Sequence, residues 1–199
     1  MSIDSAAEHR RDRRKPAVVA GHRLLLGWLC LMLVDLGCAA SAADRSLPDW
    51  YSRELSQLTQ GTGRWIADNR EYRSDDEAFD AYAVEWAMSP DQRGLTGRLY
   101  GLRDDREVAE FWRFRIYWDA KARQAVVLQF SGFGVIGSGN MSGFDQATLM
   151  DQTFTAPDGS QWRELHQAWF EDDTHLTRSF EWRDGGWVRK RAYRWSLAP

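Results

Sequence analysis

The stretch from Arg106 to Phe130, REVAEFWRFRIYWDAKARQAVVLQF, restricts the possible folds more than any other part of the chain. Within it Val108, Trp112, Phe114, Ile116 and Trp118 share one parity, interrupted by Glu110, while Ala109, Phe111, Arg113, Arg115 and Tyr117 share the other. Successive side chains of a strand point to opposite faces, so this period-two pattern predicts one long strand with an apolar face and a mixed face. Residues 119–121 read as a turn and 125–130 as a β-rich return strand. A strand this long, with aromatic side chains on both faces, fits the wall of a strongly curved sheet or barrel.

Similar alternation recurs along the chain. Residues 47–58 are expected to form one helix, with Ser46 as N-cap, Pro48 in the first turn and Leu55 and Leu58 as an apolar edge. Gly61-Thr62-Gly63 stops it. Strands are expected over 64–69, 78–88, 95–102, 135–141, 147–155, 160–170, 175–182 and 187–197, punctuated by turn signals such as Pro157-Asp158-Gly159 and Asp184-Gly185-Gly186. About ten short strands at regular spacing, with one N-terminal helix, predict an all-β fold. A closed antiparallel barrel is favoured, because closure removes exposed sheet edges.

The first 43 residues have a different character. Six Lys/Arg precede or flank an apolar run at 24–36 (LLLGWLCLMLVDL), and small residues follow at 37–43. That order predicts a secretory signal segment, with Ala40-Ser41-Ala42 as the cleavage pattern and the periplasm or beyond as destination. An uncleaved anchor is disfavoured by Asp35 within the run. Lipidation at Cys38 is a minor alternative, since Asp35 stands where a lipoprotein site wants an aliphatic residue. The expected organisation is a signal segment at 1–43, a linker and helix at 44–62, and a barrel domain at 63–199. Without residues 1–43 the chain carries 20 Lys/Arg against 25 Asp/Glu, and neither Cys30 nor Cys38 remains. A net-acidic domain with no basic block is a poor nucleic-acid partner, and without cysteine it has no disulfide and no thiol nucleophile. No membrane span is expected after processing.

Gly63-Arg64-Trp65 opens the first strand directly after a short helix, and Arg191 and Arg194 sit in the last strand among Trp187, Tyr193 and Trp195. This resembles the lipocalin/calycin pattern, in which a G-x-W tryptophan closes one end of the barrel and an arginine of the last strand packs over it. The resemblance implies barrel closure by Gly63 and Trp65, with Arg191 or Arg194 as the arginine. The chain departs from true lipocalins in lacking the later T-D-Y motif and in having nearer ten strands than eight. It also lacks the G-x-G-x-Y-P signature of nitrobindin-type barrels. Exported, lipocalin-like bacterial proteins are the group it resembles.

Gly132-Phe133-Gly134-Val135-Ile136-Gly137 matches G-x-G-x-x-G after a strand, but a dinucleotide site needs a helix next. Here Ser138-Gly139-Asn140-Met141-Ser142-Gly143 follows, so the glycines read as bends at a barrel rim. His166 and His175 are the only histidines beyond the leader; they read as hydrogen-bonded wall or turn residues and no cofactor is expected, with axial haem ligation by either as the minor alternative. No H-x-H or H-E-x-x-H spacing assigns a metal. No catalytic constellation is assigned. Glu110 and Glu164 fall on otherwise apolar strand faces, with Arg178 as a candidate partner because it shares the face of Leu176, Phe180 and Trp182. The expected ligand site therefore comprises Trp86, Trp112, Phe114, Trp162 and Phe180 as apolar lining, with Glu110, Glu164, His166 and Arg178 as polar anchors for a small molecule. A cone-shaped α+β enzyme of the nuclear-transport-factor or cyclase type, and a filled barrel with a structural role in the envelope, are the alternatives.

Overall fold

The computed structural model describes residues 46–199; the expected leader, Cys38 and the cleavage point near Ala42 lie outside the described residues. Helix α1 (Asp49–Leu58) is followed by β1 (Arg64–Asp68), β2 (Ala81–Met88), β3 (Gly94–Arg103), β4 (Arg106–Asp119) and β5 (Gln124–Ser131). Then come β6 (Ile136–Phe144), β7 (Ala147–Thr155), β8 (Gln161–Glu171), β9 (Thr174–Arg183) and β10 (Gly186–Leu197). Each strand pairs antiparallel with its sequence neighbours, and β10 returns to β1 with Trp65 opposite Leu197 and Ala67 opposite Trp195. The ten strands therefore close into the expected antiparallel barrel with one short helix, rather than a cone-shaped α+β scaffold.

The helix starts two residues later than its sequence pattern indicates. Pro48, not Ser46, occupies the N-cap position, no side chain caps the helix, and the Pro48 carbonyl accepts from the Tyr51 and Ser52 amides at 3.0 Å. Tyr51, Glu54, Leu55 and Leu58 form its buried face at helical spacing. Tyr51, Leu55 and Leu58 pack on Leu95, Ile116, Ala125, Val127 and Met141 from the inner faces of β3 to β6, which seals one end of the barrel. No helix among the described residues is long and apolar enough to cross a membrane.

Register sets which side chains face inward. One inward row runs Trp86, Gly97, Phe114, Gln129, Gly137, Phe154, Trp162 across β2 to β8. Strand β4 carries an irregularity within it: Leu99 pairs with Trp112, but Tyr100 pairs with Glu110. Phe111 is thus an extra residue and the face inverts there, so that Phe111 and Trp112 both reach the interior and Glu110 does not.

The glycine run after β5 is a rim turn. Gly134 takes a left-handed φ of +82°, and the chain enters β6 rather than a helix. Gly137 faces Phe154, and a Cβ there would lie 2.5 Å from the ring. Gly137→Ala is expected to lower the unfolding free energy by about 1–3 kcal/mol by forcing that ring to move. Gly132→Ala, whose Cβ would meet nothing within 4 Å, is expected to stay within about 0.5 kcal/mol of the wild type, and urea titration of the two variants checks the difference.

Candidate functional site

A cavity of about 610 Å³ lies inside the barrel, bounded by Glu54 and Leu58 of α1 at one extreme and by Glu181 and Lys190 near the β9–β10 turn at the other. Its walls differ in chemistry. On the β2–β4 side they are aromatic. Trp86 stands 5.1 Å from Phe114, and Gly97 makes room for the Trp86 ring, since a Cβ there would fall 2.5 Å from it. Trp112 meets Phe154 edge-on at 5.6 Å, and Phe154 stacks on Trp162 at 5.4 Å.

The β8–β10 side is polar. The inward parity of β9 is His175, Thr177, Ser179 and Glu181, set by pairing with Phe170, Ala168, His166 and Glu164 of β8. Glu164 Oε1 accepts from the Trp162 indole at 3.0 Å and from Lys190 Nζ at 2.9 Å. Lys190 also lies 3.2 Å from Glu181, which Arg183 holds from the rim at 2.7 Å. His166 Nε2 stands 3.3 Å from Glu164 Oε2, off the axis of a good hydrogen bond. Burial alone would raise the Glu164 carboxyl, but His166 and Lys190 outweigh it and bring it down to about 2. Glu164 is therefore ionised at any physiological pH.

Between these walls a second network ties the β1–β2 connection to β10. Both terminal guanidinium nitrogens of Arg191 donate to the Glu77 carboxylate. Tyr82 donates to the same carboxylate at 2.6 Å. Tyr193 donates to Asn69 Oδ1 at 2.9 Å and accepts from Arg191 at 3.2 Å. Burial raises the Glu77 carboxyl, yet the Arg191 and Tyr82 bonds win and hold it below its ordinary value. Arg191 carries its charge inside the barrel already neutralised.

The helix end is different again. Glu54 is 6 % exposed and, among the described residues, accepts one hydrogen bond, from Thr148 at 3.2 Å. His175 stacks on Phe170 at 4.5 Å, and both of its ring nitrogens are buried without a partner among the described residues, as is Trp86 Nε1. Burial pushes the Glu54 carboxyl up to about 7, partly offset by the Thr148 bond, and pushes the His175 imidazole down to about 3. Both groups are driven toward neutrality by desolvation.

Of the residues expected to form the site, Trp86, Trp112, Phe114, Trp162, Glu164 and His166 all line this cavity. Glu110 does not: it lies on the outer face, 2.6 Å from Arg113 and 3.8 Å from Arg98, because the extra residue Phe111 inverts the parity of β4. Arg178 borders the cavity, but the residue is exposed and its guanidinium lies 4.7 Å over the Trp169 ring, while Phe180 is not among the lining residues and shares the outer parity of β9. The apolar parity of β9 thus faces out and the polar one in, the reverse of the expectation. His175, the second candidate haem ligand, also points into the cavity. Among the described residues no group of three or more His, Cys, Asp or Glu is placed to hold a metal.

Trp65 is fully buried at the helix end, and its indole N–H donates to the Leu58 carbonyl at 2.9 Å. Gly63 takes φ +66°, and a Cβ on it would lie 2.3 Å from the Trp86 carbonyl oxygen. The rings beside Trp65 are Phe170 and His175, not an arginine. Arg191 is engaged with Glu77, its guanidinium over Tyr72, and Arg194 is exposed on the outer parity of β10. The group that meets the Trp65 ring edge-on is thus the His175 imidazole, 5.9 Å away.

Glu54, Lys190, Glu181 and Glu77 are site residues that strand-by-strand reading passes over. Glu54 was detectable, since it stands three after Tyr51 and four before Leu58 on the apolar face of the helix. Lys190 was not, because it occupies the extra position between Arg189 and Arg191, where the register of β10 against β9 shifts.

No protein-family model matches the sequence, and no curated protein matches it. Among solved structures the chain is similar to one described as the crystal structure of Rv2717c from M. tuberculosis, at 12 % identity and a TM-score of 0.48, covering 77 % of this chain and 100 % of that chain.

Proposed function

We propose that this protein is an exported, lipocalin-like binding protein that takes one small, largely apolar molecule into the barrel. The observation that carries the reading is the cavity of about 610 Å³ with an aromatic wall facing a charged one. Such a cavity buries an apolar body against Trp86, Phe114 and Trp112 and orients polar atoms toward the β8–β10 wall. Volume of this size also argues against a barrel filled for structure alone. The basic, apolar, small-residue order of the leader supports export. The Lys190, Glu164 and Glu181 charges of the β8–β10 wall are satisfied among themselves, which suits a wall that orients a ligand's polar atoms.

The test begins with protein purified after export from a bacterial host. A native mass exceeding the denatured mass, with the excess lost on denaturation, is the expected result. A Soret band in the absorption spectrum would instead reassign the cavity to haem through His166 or His175. A polarity-sensitive fluorescent probe should bind one per chain. Ser179→Trp, which fills the cavity from the inward face of β9, is expected to weaken that probe at least tenfold. Arg194→Ala, exposed on the outer parity of β10 and away from the cavity lining, is expected to leave it within twofold. Equal effects from the two would place the probe outside the barrel and overturn the reading.

A further inference from the structure

We infer that the helix end of the cavity recognises a protonated amine borne on an apolar body, with the Glu54 carboxylate as its counter-charge; the inference rests on the cavity being a binding site. Glu54 is carried into the barrel by the buried face of α1. Its Oε1 accepts from Thr148, and among the described residues nothing else bonds to the carboxylate and no cation pairs with it. Of the basic residues around the cavity, Lys190 is engaged by Glu164 and Glu181, Arg191 by Glu77, and Arg178 is exposed with its guanidinium over the Trp169 ring. The helix end thus offers an acid without a base.

Three further features there suit an ammonium group. The His175 nitrogens are buried without partners, so one lone pair is available to an N–H donor. Trp86 and Trp195 line the same space, and indole rings attract a desolvated cation. A charge-assisted bond to Glu54 Oε2 completes the set. The charged and titratable groups near Glu54 do not compete. Arg53 on the same helix is exposed and reaches the Asp145 carbonyl, and Tyr51 donates to the Arg93 carbonyl. Leu95, Ile116, Ala125, Val127 and Met141, packed against the helix from β3 to β6, carry no charge. A carboxylate ligand would meet like charge at this end, and an alcohol would gain no ion pair. Without ligand, burial holds Glu54 largely protonated at pH 6, so an incoming ammonium must displace that proton.

The experiment titrates decylamine, decanol and decanoate into the exported protein by calorimetry. At pH 8 decylamine is expected to bind at least tenfold more tightly than either of the others. At pH 6, measured in two buffers of different ionisation enthalpy, decylamine should release close to one proton per molecule bound and decanol none. Glu54→Gln is expected to remove the preference for the amine while leaving decanol within about twofold. Should that variant fail to fold, proton release by the wild type decides alone. Decanol binding without an amine preference, or amine binding without proton release, overturns the amine site and leaves the cavity reading intact. Failure of all three to bind overturns both.

Discussion

Trp65→Ala is expected to lower the unfolding free energy by about 3–5 kcal/mol, the range for removing a large buried aromatic side chain. The site explains why the loss falls at the upper end. The ring is fully buried, stands 5.7 Å from Phe170 and 5.9 Å from His175, and belongs to the cluster of Ala67, Tyr82, Val84 and Trp195. Its indole N–H is also the bond that ties β1 to the last carbonyl of α1. Truncation opens a cavity and strands the Leu58 carbonyl beneath the helix. Trp65→Phe keeps most of the volume and loses the bond, so a smaller cost of about 1–3 kcal/mol is expected. Arg194→Ala is the control that separates this barrel from the lipocalin pattern. An arginine packed over the tryptophan would matter to closure, whereas the exposed Arg194 should change stability by no more than about 0.5 kcal/mol. Urea titrations of the three variants, read by tryptophan fluorescence and by far-ultraviolet dichroism, test the set. A loss at Arg194 comparable to that at Trp65 would show that the closure has been misassigned.

The fold was legible in the sequence because its signals are local. Alternation, turn residues and the absence of internal helices each report on a few neighbouring positions, and together they specify an all-β chain of about ten strands. The site was legible only where a strand kept its parity. On β8, Trp162, Glu164 and His166 share an unbroken alternation and all three face inward. On β4 one extra residue at Phe111 moves Glu110 to the outside, and no local pattern marks an inserted residue among so many aromatics. On β9 the rule that apolar faces point inward fails. A hollow barrel can line one wall with Glu164, His166, Ser179 and Glu181 while Leu176 and Phe180 face outward, Leu176 beside Trp169. Inside and outside then differ by which polar groups find partners, and partners such as Lys190 and Arg183 are set by tertiary register.

The second large effect is a pair of opposed pH dependences that hide each other. His175 has its folded value depressed to about 3, against an ordinary value of 6.5, because the fully enclosed imidazole cannot be charged. Below the ordinary value the unfolded chain takes up a proton that the folded one refuses, so this group costs stability as pH falls from about 6.5. Glu54 has its folded value raised from 4.5 to about 7 by burial. Above 4.5 the unfolded chain gives up a proton that the folded one keeps, so this group costs stability as pH rises from about 4.5 toward 7. Between pH 5 and 6 the two slopes have opposite sign and similar size, roughly one kcal/mol per pH unit each. The wild type is expected to be nearly flat there. Glu54→Gln should expose the histidine slope, so that stability climbs with pH across this window and exceeds the wild type at neutrality. His175→Phe should expose the glutamate slope, so that stability declines with pH over the same range. Glu164 does not blur the comparison, since its depressed value moves its own loss to pH below about 4.5. Denaturation midpoints at pH 5, 5.5 and 6 for the three proteins decide the matter. Parallel profiles for both variants would mean that neither group is held neutral by the barrel, and the cavity would then be wetter at its helix end than its lining implies.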